Sequence, residues 1–559
     1  MNSPHCRRAD RAETIRSAAL AGALALMLAA CGGGSGGGGG SSTPPPVNPP
    51  PPPPPPVVVT PPPYTFLPAA VEASYVAGYP VDVSLTARQT VPFVGVVYLK
   101  VVADGDVIDP NVALTQQGDG SVNVKIRTSL TAKPGSYTGN FTVNVCLDPN
   151  CATQLAGAPF KLPYAIEVIG AEGSLQSFDL KALSALGGAA DWGTFQGNAQ
   201  HTGYVPVTLD PKAFSARWKL SAPAFDGAQI ELSTVATGGG RVYVTNGTWF
   251  RQTGTALTAY SEADGKKVWS HSFADLAYPS TNPPAYANGR VFTAAGSQQS
   301  TAMFGFDAAT GVQLFKTQMS SQWEDYLAPT VFNENVYTNG GSYGGLYSFS
   351  ASTGAQNYFM DLDQYDSWTP AFDNQHMYSY MAGKLRQHEP LTGKVLATIA
   401  DPLYSWNGYD TDAAPVIGGG GIVYAGNLSN RSDNGIVAFD TVNKSVRWSA
   451  KGGFAGNPAY ADGYLFAANN TTDKLEVRKE ADGAIEWSWA PPADDAEFAS
   501  DVLVTRNLVF VSTTRTTYAI DRSSHATVWS YKAGGSLALS ANGVLYVKAK
   551  SAIVAINLK

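Results

Sequence analysis

The residues of this chain best suited to gripping a partner are aromatic and acidic, and they gather in three stretches between predicted strands. QWEDYLAP (322–329), QYDSWTP (364–370) and YSWNGYDTDAAP (404–415) each set Trp, Tyr and Asp shortly before a proline. Asp325 and Asp366 stand at the same offset from Pro329 and Pro370, and Asp410 lies in the third stretch. Trp323, Tyr326, Tyr365, Trp368, Tyr404, Trp406 and Tyr409 supply the rings. Rings with an apolar face and a polar tip, set beside carboxylates, suit a partly wet contact with a basic or hydroxyl-rich partner. Packing between neighbouring elements is the competing use of the same rings.

Other chemistry is sparse. His201, His271, His376, His388 and His525 form no H-x₃-H pair, and they read as solvated or turn residues rather than metal ligands. Asp104, Asp106 and Asp109 lack the glycine and terminal glutamate of a calcium loop and read as an acidic turn. Gly340-Gly341-Ser342-Tyr343-Gly344 matches a nucleophile elbow in letters. Between two strands, however, it lacks the strand-to-helix turn that exposes such a serine. No catalytic residue, metal site or cofactor is expected. Cys146 and Cys151 flank Leu-Asp-Pro-Asn, a turn former, with no other Cys or His nearby. This spacing predicts a loop-clamping disulfide made in an oxidising compartment.

The elements that hold these residues differ along the chain. Over 559 residues the formal charge is −7, without a clustered basic excess, which excludes an ordinary nucleic-acid binder. Hydrophobic residues make up 44%, enough for a large core and too many for wholesale disorder. Residues 1–30 place Arg7, Arg8, Arg11 and Arg16 before an Ala/Leu run, too short to span a bilayer comfortably and ending Leu-Ala-Ala-Cys31-Gly32. This resembles the lipobox of bacterial lipoproteins, which implies cleavage before Cys31, its acylation and, with Gly32 following, sorting to the outer membrane. Residues 32–63 carry no charge and consist only of Gly, Ser, Thr, Pro, Val and Asn, so 31–63 reads as a lipidated cysteine on a disordered stalk.

Residues 64–170 alternate apolar and polar residues in short runs such as VDVSLTA (81–87), SVNVKIRT (121–128) and YAIEVI (164–169). The spacing predicts a β-sandwich, and the strand pattern resembles a bacterial immunoglobulin-like module. A linker is expected over 171–190. From 191 onward an internal repeat appears. LTAYSEADGKKVW (257–269) aligns without gaps to MFGFDAATGVQLF (303–315), LYSFSASTGAQNY (346–358) and LRQHEPLTGKVLA (385–397). IVAFDTVNKSVRW (436–448), LEVRKEADGAIEW (475–487) and TYAIDRSSHATVW (517–529) continue the series, and IVAINLK (553–559) begins an eighth copy. Each copy reads strand, turn, strand, and a further hairpin signal precedes it, so every repeat predicts four strands. FSARWKL (214–220) has the outer-strand pattern with no partner before it, and pairing it with the last hairpin would close a ring.

These repeats, with the opening DWGTFQGNAQHTGYVP (191–206), resemble the pyrroloquinoline-quinone-like propeller repeats. The resemblance implies an all-β chain: an eight-bladed propeller of four-stranded blades over 191–559, preceded by the immunoglobulin-like β-sandwich. Its members include dehydrogenases and non-catalytic scaffolds, among them the propeller subunit of the outer-membrane β-barrel assembly machinery. The adjacent half-cystines that shelter the quinone in the dehydrogenases are missing, because 191–559 has no cysteine. The expected function is therefore a non-catalytic, monomeric envelope lipoprotein that binds envelope proteins and touches the membrane only through its lipid. A periplasmic quinone-dependent oxidoreductase and a carbohydrate-binding envelope protein are the alternatives.

Overall fold

A computed structural model describes residues 64–559 except 91–97, 110–111, 119, 156, 171, 226–227, 247–254, 274, 277–279, 298–299, 321–326, 341–343, 364–367, 407–413 and 427–434. The chain divides into units 1–60 and 61–559, and the first lies outside the described residues. The second is all-β, and its few helical turns are short 3₁₀ turns such as Phe195–Gly197.

The alternating runs of the N-terminal region become two four-stranded sheets. One contains Tyr64–Leu67, Asp82–Gln89, Val122–Arg127 and Ala113–Gln116, in that order. The other contains Val71–Val76, Phe160–Ile169, Gly135–Cys146 and Tyr98–Ala103. Alternate residues from both, including Val71, Leu85, Ile126, Phe141, Leu162 and Val168, share one core. Cys146 and Cys151 form a disulfide across the turn, and Asp148 caps it by accepting from the backbone of Asn150, Ala152 and Thr153.

Beyond residue 200 each repeat supplies four antiparallel strands to one of eight sheets among the described residues, and Tyr204–Val205 adds a short parallel strand inside the seventh. Their innermost strands are Ala236–Gly238, Ala285–Ala287, Thr330–Phe332, Ala371–Phe372, Val416–Ile417, Phe454–Ala461, Leu503–Thr505 and Ser536–Leu539. Central strands such as Met377–Met381 and Gly435–Asp440 are buried at every position because a neighbouring sheet covers each face. Outermost strands such as Lys267–Ser272 alternate exposed and half-buried residues. The last sheet is completed as the pattern of 214–220 predicts: Ser215–Ser221 pairs antiparallel with Ala552–Asn557. Ser174–Ser177 then adds a fifth strand outside it, so the expected linker contains a strand.

Sheets are joined by a recurring aromatic clasp. A ring within one outer strand lies on the turn of the next sheet: Trp218 on Gly265, Trp269 on Gly311, Phe315 on Gly354, Tyr358 on Gly393 and Trp448 on Gly483. The indole N–H groups of Trp218, Trp269 and Trp448 also donate to the carbonyls of Glu262, Ala308 and Glu480 at 3.0, 3.0 and 2.8 Å. At Gly311, with φ +74°, a Cβ would stand 2.5 Å from Trp269, so both backbone conformation and space select glycine. The one aligned copy that ends in a small residue, Ala397, is followed by a repeat whose turn has Lys444 rather than glycine as its left-handed residue (φ 53°). In the next-to-last clasp Trp487 stacks on His525, itself at φ 58°, with centroids 4.3 Å apart.

Candidate functional site

The segment 192–207 runs along the inner edges of the sheets, and its backbone carbonyls meet them in chain order. The carbonyl of Trp192 accepts from Thr237, that of Gly193 from Tyr286, that of Ala199 from Phe372 and that of Gln200 from Ile417. Thr202 and Gly203 continue the series to Tyr460 and Val504. The third sheet is reached by side chains: Thr194 donates through Oγ1 to the Pro329 carbonyl at 2.7 Å. The turn at Phe195–Gly197 packs on Ser536–Leu539 of the eighth. Left-handed residues Gln196 (φ 51°), Gly197 (87°), His201 (57°) and Gly203 (60°) bend the segment around this path.

His201 is fully buried at the centre of this hub. A carbonyl only accepts, so the ring donates from Nδ1 to Pro415 at 3.0 Å, which leaves Nε2 to accept from the Thr330 hydroxyl at 3.1 Å. Burial pushes its pKa down to about 3, against a smaller upward pull from the Pro415 hydrogen bond, and the ring is neutral. His388 is likewise buried and neutral, between Ser379 and the Gly393 carbonyl, with its pKa pushed down to about 4. For these two residues the expectation of solvated or turn histidines is corrected. The sequence hides the reason, since the partners of His201 lie 214 and 129 residues away.

The hub leaves a cavity of about 20 Å³ lined by Trp192, Phe195, Gln196 and Leu537, room for roughly one water molecule. A three-ring quinone does not fit in this cavity. Among the described residues no three His, Cys, Asp or Glu are grouped to hold a metal ion. Asp104 accepts from the backbone of Asn140 and the hydroxyl of Tyr164, which hold its carboxyl below the usual range as a turn cap. Gly340 and Gly344 lie between Asn335–Asn339 and Gly345–Ser350, a strand-to-strand setting.

The aromatic stretches divide. Trp323, Asp325, Tyr326, Tyr365, Asp366, Tyr409 and Asp410 lie outside the described residues. Trp368 is 1% exposed, packed with Tyr337, Phe372 and Met377, which corrects its placement on a binding rim. It lies just ahead of the inner strand Ala371–Phe372, and its ring joins the cluster of Tyr337, Leu346, Phe372 and Met377 from the third and fourth sheets. Tyr404 is half-buried over Gly383, whereas Trp406 is 60% exposed. The prolines of these stretches face inward instead: Pro329 and Pro415 offer their carbonyls to the hub.

Two buried groups gave no signal in the sequence. Arg217, 2% exposed, donates to the carbonyls of Glu262, Ala263 and Lys181 and to Asn557, tying the closing sheet to the first sheet's turn. Glu262 is buried against Ser540 and Asn542, and burial pushes its carboxyl pKa upward.

Against known proteins, no curated sequence matches. Among solved structures the chain is similar in fold to BamB from Moraxella catarrhalis, at 11% identity and TM-score 0.48, over 62% of this chain and all of that one. Dihydro-heme d1 dehydrogenase NirN matches at 13% and 0.43, over 56% of this chain and 71% of that chain. Kluyveromyces lactis Hsv2 matches at 9% and 0.36, over 52% and 95%. The family model for outer membrane protein assembly factor BamB matches residues 252–489 and 449–559, which takes in every repeat from the first aligned hairpin to the last. With more than half of its length carrying those repeats, the chain belongs to the BamB family of PQQ-type repeat proteins.

Proposed function

We propose that this chain is a lipid-anchored scaffold of the outer membrane that binds other envelope proteins and catalyses no reaction. In this reading 1–30 is a lipoprotein signal peptide, 31–63 the acylated Cys31 and its stalk, and 64–170 an immunoglobulin-like sandwich. Residues 171–190 connect it to an eight-bladed propeller at 191–559, each sheet being one blade. The observation that carries the reading is the hub: a ring whose centre is filled by its own chain must do its work on the outside. Membership in the outer-membrane assembly family supports protein partners.

The partner surface is the rim formed by the connections 322–329, 364–370 and 404–415, with Trp406 as its anchor and Trp323, Asp325, Tyr326, Tyr365, Asp366, Tyr409 and Asp410 beside it. Crosslinking in the intact envelope, followed by purification under denaturing conditions, tests this. The unaltered chain is expected to capture a defined set of envelope proteins, and Trp406→Ala to lose part of it without a change in melting temperature. An unchanged set would move the binding surface elsewhere. Cys31→Ser is expected to release the protein from the outer-membrane fraction, and retention after a high-salt wash would overturn the lipid anchor.

A further inference from the structure

A cleft of about 660 Å³ separates the N-terminal sheets from the last two sheets of the ring, a volume in the range of ligand pockets. Its floor is polar and closed: Lys219 of the closing sheet pairs with Glu167, which also accepts from Ser221 at 2.7 Å. That pair is internally neutral. One wall is the outer face of a sheet, made smooth by exposed Ser74, Ser136, Thr138 and Ala165. The opposite wall carries Arg515, Lys532 and Lys550. Lys532 and Lys550 are exposed and have no ion-pair partner among the described residues. The Arg515 guanidinium is held in place by the Asp494 carbonyl and lies 3.6 Å from the Asp495 carboxylate.

We propose that this cleft binds an extended acidic segment of a partner protein, its carboxylates facing Arg515, Lys532 and Lys550 and its backbone lying along the hydroxyl-bearing wall. Charge decides the sign. In a chain of net charge −7, the cleft sets two unpaired lysines, Lys532 and Lys550, against a single unpaired acid, Glu72, while Arg515 is shared with Asp495. The choice of peptide over sugar rests on the rings. Sugars bind to open aromatic faces, but Tyr531 lies parallel to Trp529 at 17°, and the Tyr137 hydroxyl is held by the Lys133 carbonyl. The hydroxyls of Ser74, Ser136 and Thr138 can hydrogen-bond an extended backbone, and the small Ala165 leaves it room to lie close. This surface is independent of Trp406, so the rim and the cleft can fail separately.

The test is fluorescence anisotropy of a labelled eight-residue Glu/Ser peptide titrated with the lipidated full-length protein in neutral detergent. Saturable binding that weakens as salt rises is expected, with at least a tenfold loss in Lys532→Glu/Lys550→Glu. Lys532→Arg/Lys550→Arg should retain binding, as should Trp406→Ala. Both lysines are exposed, so the reversed variant should keep its circular dichroism and melting temperature. Equal binding of a Lys/Ser peptide, unchanged binding in the reversed variant, or stronger binding of an oligogalacturonate than of the peptide would each overturn the proposal.

Discussion

At the scale of single residues, His201 is the group whose chemistry is most altered by the fold. Its pKa lies near 3 in the folded chain against about 6.5 when unfolded. Below pH 6.5 the unfolded chain therefore takes up a proton that the folded chain refuses, and stability falls as pH falls, until about pH 3. His388 adds a second proton of the same sign, effective down to about pH 4. From His201 alone the loss at about pH 4.5 should be about 3 kcal/mol. Urea unfolding at a series of pH values would show this slope. His201→Asn tolerates the left-handed backbone and should flatten the slope by one proton, at a lower stability throughout. If the slope is unchanged, the ring titrates in the folded state. At this scale the sequence was least legible. The residue types of the hub are plain, but whether Trp368 or His201 meets water depends on sheets more than a hundred residues away for the histidine and on neighbouring strands for the tryptophan.

At the scale of elements, the clasp between neighbouring sheets was half legible. The turn glycines at 265, 311, 354, 393 and 483 stand out in the repeat. Their pairing with the preceding repeat's aromatic does not, because it links residues whose contact exists only once two sheets pack. Gly311→Ala combines a left-handed φ with a clash on Trp269, and should cost about 2 kcal/mol or more in thermal or urea unfolding. The sheet that lacks a clasp gives the converse experiment. Ala397→Trp together with Lys444→Gly should restore the pair, with a favourable coupling of about 1 kcal/mol in a double-mutant cycle. Coupling near zero would mean that those two sheets are too far apart for the clasp. Ser174–Ser177 escaped the sequence reading altogether. Four residues between a glycine and a run of mixed polarity carry little strand signal, and what makes them a strand is the open edge of Ser215–Ser221.

At the scale of the whole molecule, the ring is closed by pairing the early strand Ser215–Ser221 with the last one, Ala552–Asn557. The incomplete eighth repeat made that closure readable in advance. Arg217 locks it, serving four acceptors drawn from the linker, the first sheet's turn and the C-terminal strand. Arg217→Met keeps much of the stem's volume but strands those acceptors, and should destabilise by at least about 3 kcal/mol. Hydrogen exchange should then rise first in 215–221 and 552–557. Exchange that rises evenly over all eight sheets would mean that closure and the remaining sheets form one cooperative unit.

The path of residues 192–207 also governs how the molecule comes to be made. A chain translated or exported from its N-terminus delivers this segment before any of the sheets that will surround it. Its carbonyls then meet their partners in the sequence in which those partners emerge, from Thr237 to Val504. The segment is thus an axle laid down first, against which each repeat can dock on arrival, and the ring can be counted out by its own core before the final strand seals it.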